Sequence, residues 1–250
     1  MRYFLELSYK GTNYHGWQYQ PNAISVQEKM NDGLSKLLKE EINIMGAGRT
    51  DAGVHASQMF AHFDISVAFD ENVILFKLNS YLPSDIVVLR IFKVADKAHT
   101  RFDAISRSYE YRIFLGRNPF LLDTTWQFYI RTLNVEKMNE AASELLNYQN
   151  FKSFSRSKTA VNTYNCVISE AQWVFDDTIL IFKISADRFL RNMVRAIVGT
   201  LVNVGLGKTS LQEFKEIIEG RDRTKAGASV PAKALFLTQV KYPESVLSHE

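Results

Sequence analysis

The feature that most limits the fold is the order in which strand-like and helix-like stretches follow one another. IVVLRIFKV at 86–94 and RSYEYRIFL at 107–115 are both strand-like, with no helical period between them. A doubly wound fold needs a helical crossover between successive parallel strands. The chain therefore reads as α+β, a mostly antiparallel mixed sheet flanked by helices. In the first half, 1–105, residues 2–9 alternate as a strand and GTNYHGWQYQPN is loop-like. A helix then opens with a Ser25–Glu28 capping box and carries Val26, Met30, Leu34, Leu37 and Leu38 on one face. A short strand at 42–45, the strand QMFAHFD, a helix over 70–81 and the strand at 86–94 follow. The second half, 106–250, repeats the recipe. The strand at 107–115 precedes a helix over 135–147 behind Asn134, then strands at 164–174 and 178–186. An apolar helix over 188–205 stops at GLGK, Ser210 and Glu213 cap another helix, and ALFLTQVKY closes as a strand.

Hydrophobic residues make up 46% of the 250 residues, enough for a core without covalent staples. The lone cysteine, Cys166, excludes an internal disulfide and a thiolate zinc cluster, and suits a reducing compartment. MRYFLELSYK lacks the apolar stretch of a signal peptide, and RNMVRAIVGTLVNVGLG is broken by Arg195 and Asn203. The expected location is the cytoplasm. A net charge of +3 permits an anionic partner without requiring one.

GAGRTDAGVHA, residues 46–56, is the densest cluster of small residues around polar ones. Its glycines do not follow the spacing of a dinucleotide-binding or P-loop motif. Arg49 and Asp51, two apart, face the same way in an extended segment. Taken alone they fit a surface ion pair in a turn. His55 and His62 are seven apart and fall on opposite faces of a strand, so they do not form a metal site; His55 is expected to order the loop.

As a whole string, GRTDAGVH resembles the active-site segment G-R-T-D-x-G-V-H of the tRNA pseudouridine synthase A family. Further resemblances follow in order: YKGTNYHGWQYQP, SVQEKM, NSYLPSDIVV, TRFDAISRSYEYRI, NFKSFS and FLRNMVRAIVGTLVNVG, spanning residues 9–243. Lys10 stands where the family usually has Asp, and Ala234 where a Gly is common. The resemblance implies a pseudouridine synthase fold of two RNA-binding-like halves. It implies isomerisation of uridine to pseudouridine in the tRNA anticodon stem-loop, at positions 38, 39 and 40, by a homodimer that uses no metal and no cofactor.

The resemblance also implies roles for residues. Asp51 is the catalytic carboxylate, attacking C1′, adding at C6 or taking the C2′ proton. Arg49 either pairs with Asp51 or handles RNA, reaching a phosphate or filling the space left by a flipped base. Tyr109, on an inward strand face, stacks on the uridine; Tyr111, on the same face, belongs to the core. Arg195, set among apolar residues of a helix, is either a snorkelling side chain or the cation facing Asp51. The small residues around Asp51 would make room for a uridine. Arg101, Arg107, Arg112, Arg117, Arg156, Lys158, Arg188 and Arg191, interspersed with aromatics, suit phosphate contacts. Tyr14 and Trp17 contribute to RNA or, for Trp17, to packing. Two other readings remain: an RNA-binding protein without chemistry, and a nucleoside hydrolase pairing Asp51 with Asp64.

Overall fold

Hydrogen-bonding partners, more than local pattern, decide where the elements begin and end. A computed structural model describes residues 1–129, 132–156 and 161–247. The chain divides into two units, Met1–Ile105 with the chain from Phe236 onward, and Ser106–Leu235.

In the first unit the order is β1 (Arg2–Tyr9), α1 (Val26–Leu38), β2 (Met45–Gly46), β3 (His55–Asp64), α2 (Glu71–Tyr81) and β4 (Ile86–Val94). β1 lies between β3 and β4, antiparallel to both, and β2 pairs with β3. Ser25 makes the expected capping box: its Oγ accepts from Glu28 N at 3.2 Å and its N–H donates to Glu28 Oε2 at 3.3 Å. Asp70 caps α2 through Val73 N. The strand expected at 42–45 is reduced to β2. The N–H groups of Ile42 and Ile44 donate to Ser35 Oγ and Asn31 Oδ1 on α1, at 2.8 and 3.0 Å, instead of joining a ladder.

The second unit repeats the succession with β5 (Ser106–Leu115), β6 (Trp126–Phe128), α3 (Val135–Glu144), β7 (Ile168–Asp176), β8 (Ile179–Ala186), α4 (Met193–Gly205) and α5 (Leu211–Glu219). β8 lies between β5 and β7, as β3 lies between β1 and β2. β6, which no sequence signal announces, runs parallel to β5. Asn134 and Ser210 cap α3 and α5 as expected.

Further boundaries differ from expectation. α4 starts at Met193 and not at 188, because Asn192 adopts φ of 67°, a left-handed conformation that ends a helix rather than propagating it. β7 starts at Ile168 and not at 164: Cys166 N donates to Gln149 O and Val167 N to Asp187 Oδ1, which takes both out of the ladder. The closing strand β9 (Leu235–Lys241) runs parallel to β3, pairing His55 with Phe236. Val240 N donates to Gln58 Oε1 and Tyr242 Oη to Thr100 O, so the chain from 236 belongs with the first unit and not with the second half, where the order of motifs sets it. A short helix, α6 (Glu244–Leu247), follows. Among the described residues no helix is long and apolar enough to cross a membrane.

Candidate active site

Antiparallel pairing of Tyr9 with Ala56 sets the end of β1 beside the start of β3. The segment after β1 therefore lies against the loop that carries Asp51. Tyr9 Oη shares a 2.9 Å hydrogen bond with Thr50 Oγ1. Trp17 N donates to Thr50 O at 3.3 Å, and Gly53 N donates to Tyr14 O at 3.2 Å. The turn is closed by Val54 N donating to Asp51 O at 3.1 Å. The main chain on both sides of Asp51 is thus held by Trp17 and Tyr14, well before it in the chain, and Asp51 itself is half-buried.

This cradle explains most of the small residues. Gly16 sits at φ of +91°, and a Cβ there would fall 2.3 Å from Thr50 O. A Cβ on Gly46 would fall 2.5 Å from the Trp17 indole, which is 1% exposed. Trp17 is a packing residue, and Gly46 makes room for it rather than for a substrate. Gly53 takes φ of 78° in the turn. Around Gly48 the space is open, and Ala52 is exposed.

His55 orders the loop as expected. It is buried, its Nδ1 accepts from Gly11 N at 3.0 Å, and its ring stacks on Phe236 at 4.5 Å. A donor aimed at Nδ1 leaves the ring proton on Nε2. Asp85, from the NSYLPSDIVV segment, has no role in the sequence reading. Its Oδ1 accepts from Tyr14 Oη at 2.5 Å, its Oδ2 from Asn13 Nδ2 at 3.0 Å and its carbonyl from Lys10 N at 2.9 Å. It ties down the segment that holds Gly53. The phenol of Tyr14 is pushed up by burial and by that carboxylate.

Arg49 is exposed, and its Nε donates to Gln18 Oε1 at 3.1 Å. Asp64, the carboxylate a hydrolase would pair with Asp51, takes both its oxygens to Arg2, at 2.9 and 2.7 Å, and Arg2 holds its carboxyl below the usual range. It ends β3, about 30 Å along the strand from His55 at the usual rise per residue.

The other two site residues belong to the second unit. Tyr109 lies on β5, half-buried, edge-on to Phe189 with ring centroids 5.0 Å apart. Tyr111 on the same face is core, fully buried, with its Oη donating to Pro231 O at 3.0 Å. Arg195, in the first turn of α4, is half-buried; its Nε donates to Val230 O at 2.7 Å while its carbonyl accepts from Val230 N. Its Nε is therefore held beside the chain that leads to β9. Among the basic residues, Arg112 is paired with Glu110 at 2.9 Å and Arg107 Nη1 donates to Asp187 O, while Arg101, Arg117, Arg156 and Arg191 are exposed. Lys158 lies outside the described residues.

Burial pushes the Cys166 thiol up to about 12, which removes it as a nucleophile. Among the described residues no group of three His, Cys, Asp or Glu side chains is placed to hold a metal.

The family profile described as tRNA pseudouridine synthase matches residues 141–243. The tRNA pseudouridine synthase A of Bacteroides thetaiotaomicron is 51% identical over 252 residues, covering 100% of this chain and 93% of the relative. That of Bacteroides fragilis is 49% identical, covering 98% of each. That of Thermoanaerobacter pseudethanolicus is 39% identical, covering 94% of this chain and 97% of the relative. The repeated antiparallel fold and the matching profile make this a pseudouridine synthase. At such identity over nearly the whole length, the chain belongs to the tRNA pseudouridine synthase A family.

Proposed function

We propose that this protein isomerises uridine to pseudouridine in the anticodon stem-loop of tRNA, at positions 38, 39 and 40, with Asp51 as the catalytic carboxylate. The N1–C1′ bond breaks, the uracil turns, and C5 joins C1′; the hydrogen of C5 leaves to solvent while N1 gains one. The observation that carries the reading is the held loop. A carboxylate whose flanking peptides are pinned by Tyr14, Trp17 and Val54 N–H and C=O groups is preorganised, so little is lost to reorganisation when the reaction begins. Tyr109, Arg49 and Arg195 bind the substrate on this reading: Tyr109 stacks on the base, Arg49 contacts the RNA at the loop, and Arg195, its Nε held by Val230 O, supplies a further cation.

A flipped base is required, because the reacting atoms of a stacked uridine are out of reach. The exposed Arg49 and the open space at Gly48 suit an RNA strand arriving at that loop. The hydrolase alternative lacks its second carboxylate, since Asp64 is engaged by Arg2 at the other end of β3. The protein acts as a homodimer in the cytoplasm on this reading, one tRNA bridging two subunits.

The test is tritium release from tRNA transcripts carrying 5-tritiated uridine, with the wild type and with Asp51→Ala. Release by the wild type with RNA mass unchanged is expected, and none by the variant. The variant binds tRNA within about tenfold of the wild type, because phosphate contacts supply most of the affinity. Free uracil in the products, or normal release by the variant, overturns the reading.

A further inference from the structure

Two glutamines connect helix α1 to Arg49, and their orientation is forced from both ends. Gln27 Nε2 donates to Ile44 O at 2.7 Å, and Gln27 Oε1 accepts from Tyr19 N at 2.8 Å. A backbone carbonyl only accepts and a backbone N–H only donates, so the Gln27 amide fits in one orientation. Its Oε1 also accepts from Gln18 Nε2 at 2.8 Å. That turns Gln18 Oε1 the other way, toward Arg49 Nε at 3.1 Å. A guanidinium is donor-only, so the sequence of donors and acceptors from Ile44 to Arg49 closes without conflict. Gln27 itself is fixed in α1, whose first N–H groups, on Val26 and Gln27, donate to Gly16 O and Trp17 O.

We propose that Gln27 and Gln18 are positioning residues: a polarised pair of amides that sets the direction in which Arg49 is presented to RNA. The geometry commits the Nε edge of the guanidinium to Gln18 and keeps the planar fork of Nη groups, on an exposed side chain, for a phosphate or a stacked base. A flexible exposed arginine would have to be ordered on binding; one held through Nε has lost part of that freedom beforehand. The inference rests on the reading that Arg49 handles RNA and deepens it.

The experiment is a double-mutant cycle on the single-turnover rate and on tRNA affinity, with Gln18→Met, Arg49→Met and both together. Methionine keeps the volume of glutamine and removes the amide. Gln18→Met lowers the rate about tenfold, as small misplacements near a reacting centre do, while affinity changes by less than about threefold. Added to Arg49→Met, it lowers the rate by less than about twofold further, because the relay then has nothing left to orient. Thermal midpoints of the three variants agree with the wild type within about 3 °C. Equal losses from Gln18→Met in both Arg49 backgrounds overturn the relay, since Gln18 is then a support for the loop alone. A wild-type rate for Arg49→Met overturns it as well. Tritium release that survives Asp51→Ala removes the isomerase reading instead, so the two failures are told apart.

Discussion

A methyl group at residue 16 would sit 2.3 Å from the Thr50 carbonyl oxygen on a backbone at φ of +91°. Neither the strain nor the clash can relax without moving the peptide next to Asp51. Gly16→Ala is expected to cost about 1–3 kcal/mol of stability, read by urea denaturation, and to lower turnover more than the fraction unfolded accounts for. Turnover that tracks folding alone would separate Gly16 from the site. A second residue-scale effect concerns His62. Burial pushes its imidazole down to about 4 from 6.5, with Arg2 and His99 acting in the same direction. The folded protein keeps His62 neutral while the unfolded chain protonates it, so its contribution is complete above pH 6.5 and is lost as pH falls toward 4. Thermal midpoints of the wild type are expected to fall across that window more steeply than those of His62→Gln. Parallel curves would assign the acid lability to other groups.

At the scale of elements, the site is built from ends: the end of β1, the start of α1, the start of β3 and the start of β4. Asp85, just before β4, holds Asn13 and Tyr14, and Tyr14 holds Gly53. Tyr14→Phe keeps the buried ring and loses one hydrogen bond to a charged acceptor, about 1.5–3 kcal/mol. It is expected to lower the rate constant with little change in tRNA affinity; an unchanged rate would show that the segment is held well enough by its backbone. Ser25→Ala removes the capping box of α1 at a cost of about 1 kcal/mol. Since the carbonyls of Gly16 and Trp17 accept from the first turn of α1, fraying there loosens the cradle. Activity is expected to fall with temperature earlier in the variant than unfolding does, measured by initial rate beside circular dichroism.

At the scale of the whole molecule, a net charge of +3 is too small to hold RNA by itself, so affinity comes from local clusters of basic side chains. Each phosphate neutralised contributes about −0.7 on a single strand and about −0.9 on B-form DNA to the slope of log affinity against log salt. A slope of about −3 or steeper is expected in filter binding, set by only a few such contacts. A slope near zero would remove phosphate contacts from the account. A dimer doubles the basic surface offered to an elongated RNA. Sedimentation velocity at assay concentration is expected to give a dimer, and a fully active monomer would defeat that part of the proposal.

The local grammar of this protein is legible residue by residue. Ser25, Asn134 and Ser210 announce their helices because a cap acts within four residues, and β1, β4 and β5 announce themselves by the composition and alternation that strands impose. GRTDAGVH is specific enough to carry the family resemblance on its own. What the sequence leaves open is settled by partners and backbone conformations that no local pattern announces. Ser35 and Asn31 shorten β2, Asp187 delays β7, a left-handed Asn192 delays α4, and Gln58 and Thr100 help claim the chain from 236 for the first unit. Gly46 reads as space for a substrate until Trp17 is seen to fill it, and Asp85 has no role until Tyr14 reaches it. Periodicity and capping depend on near neighbours and can be read from them; the choice of a hydrogen-bond partner outside the element, from seven residues away at Ile42 to 182 at Val240, is made only when the chain has packed.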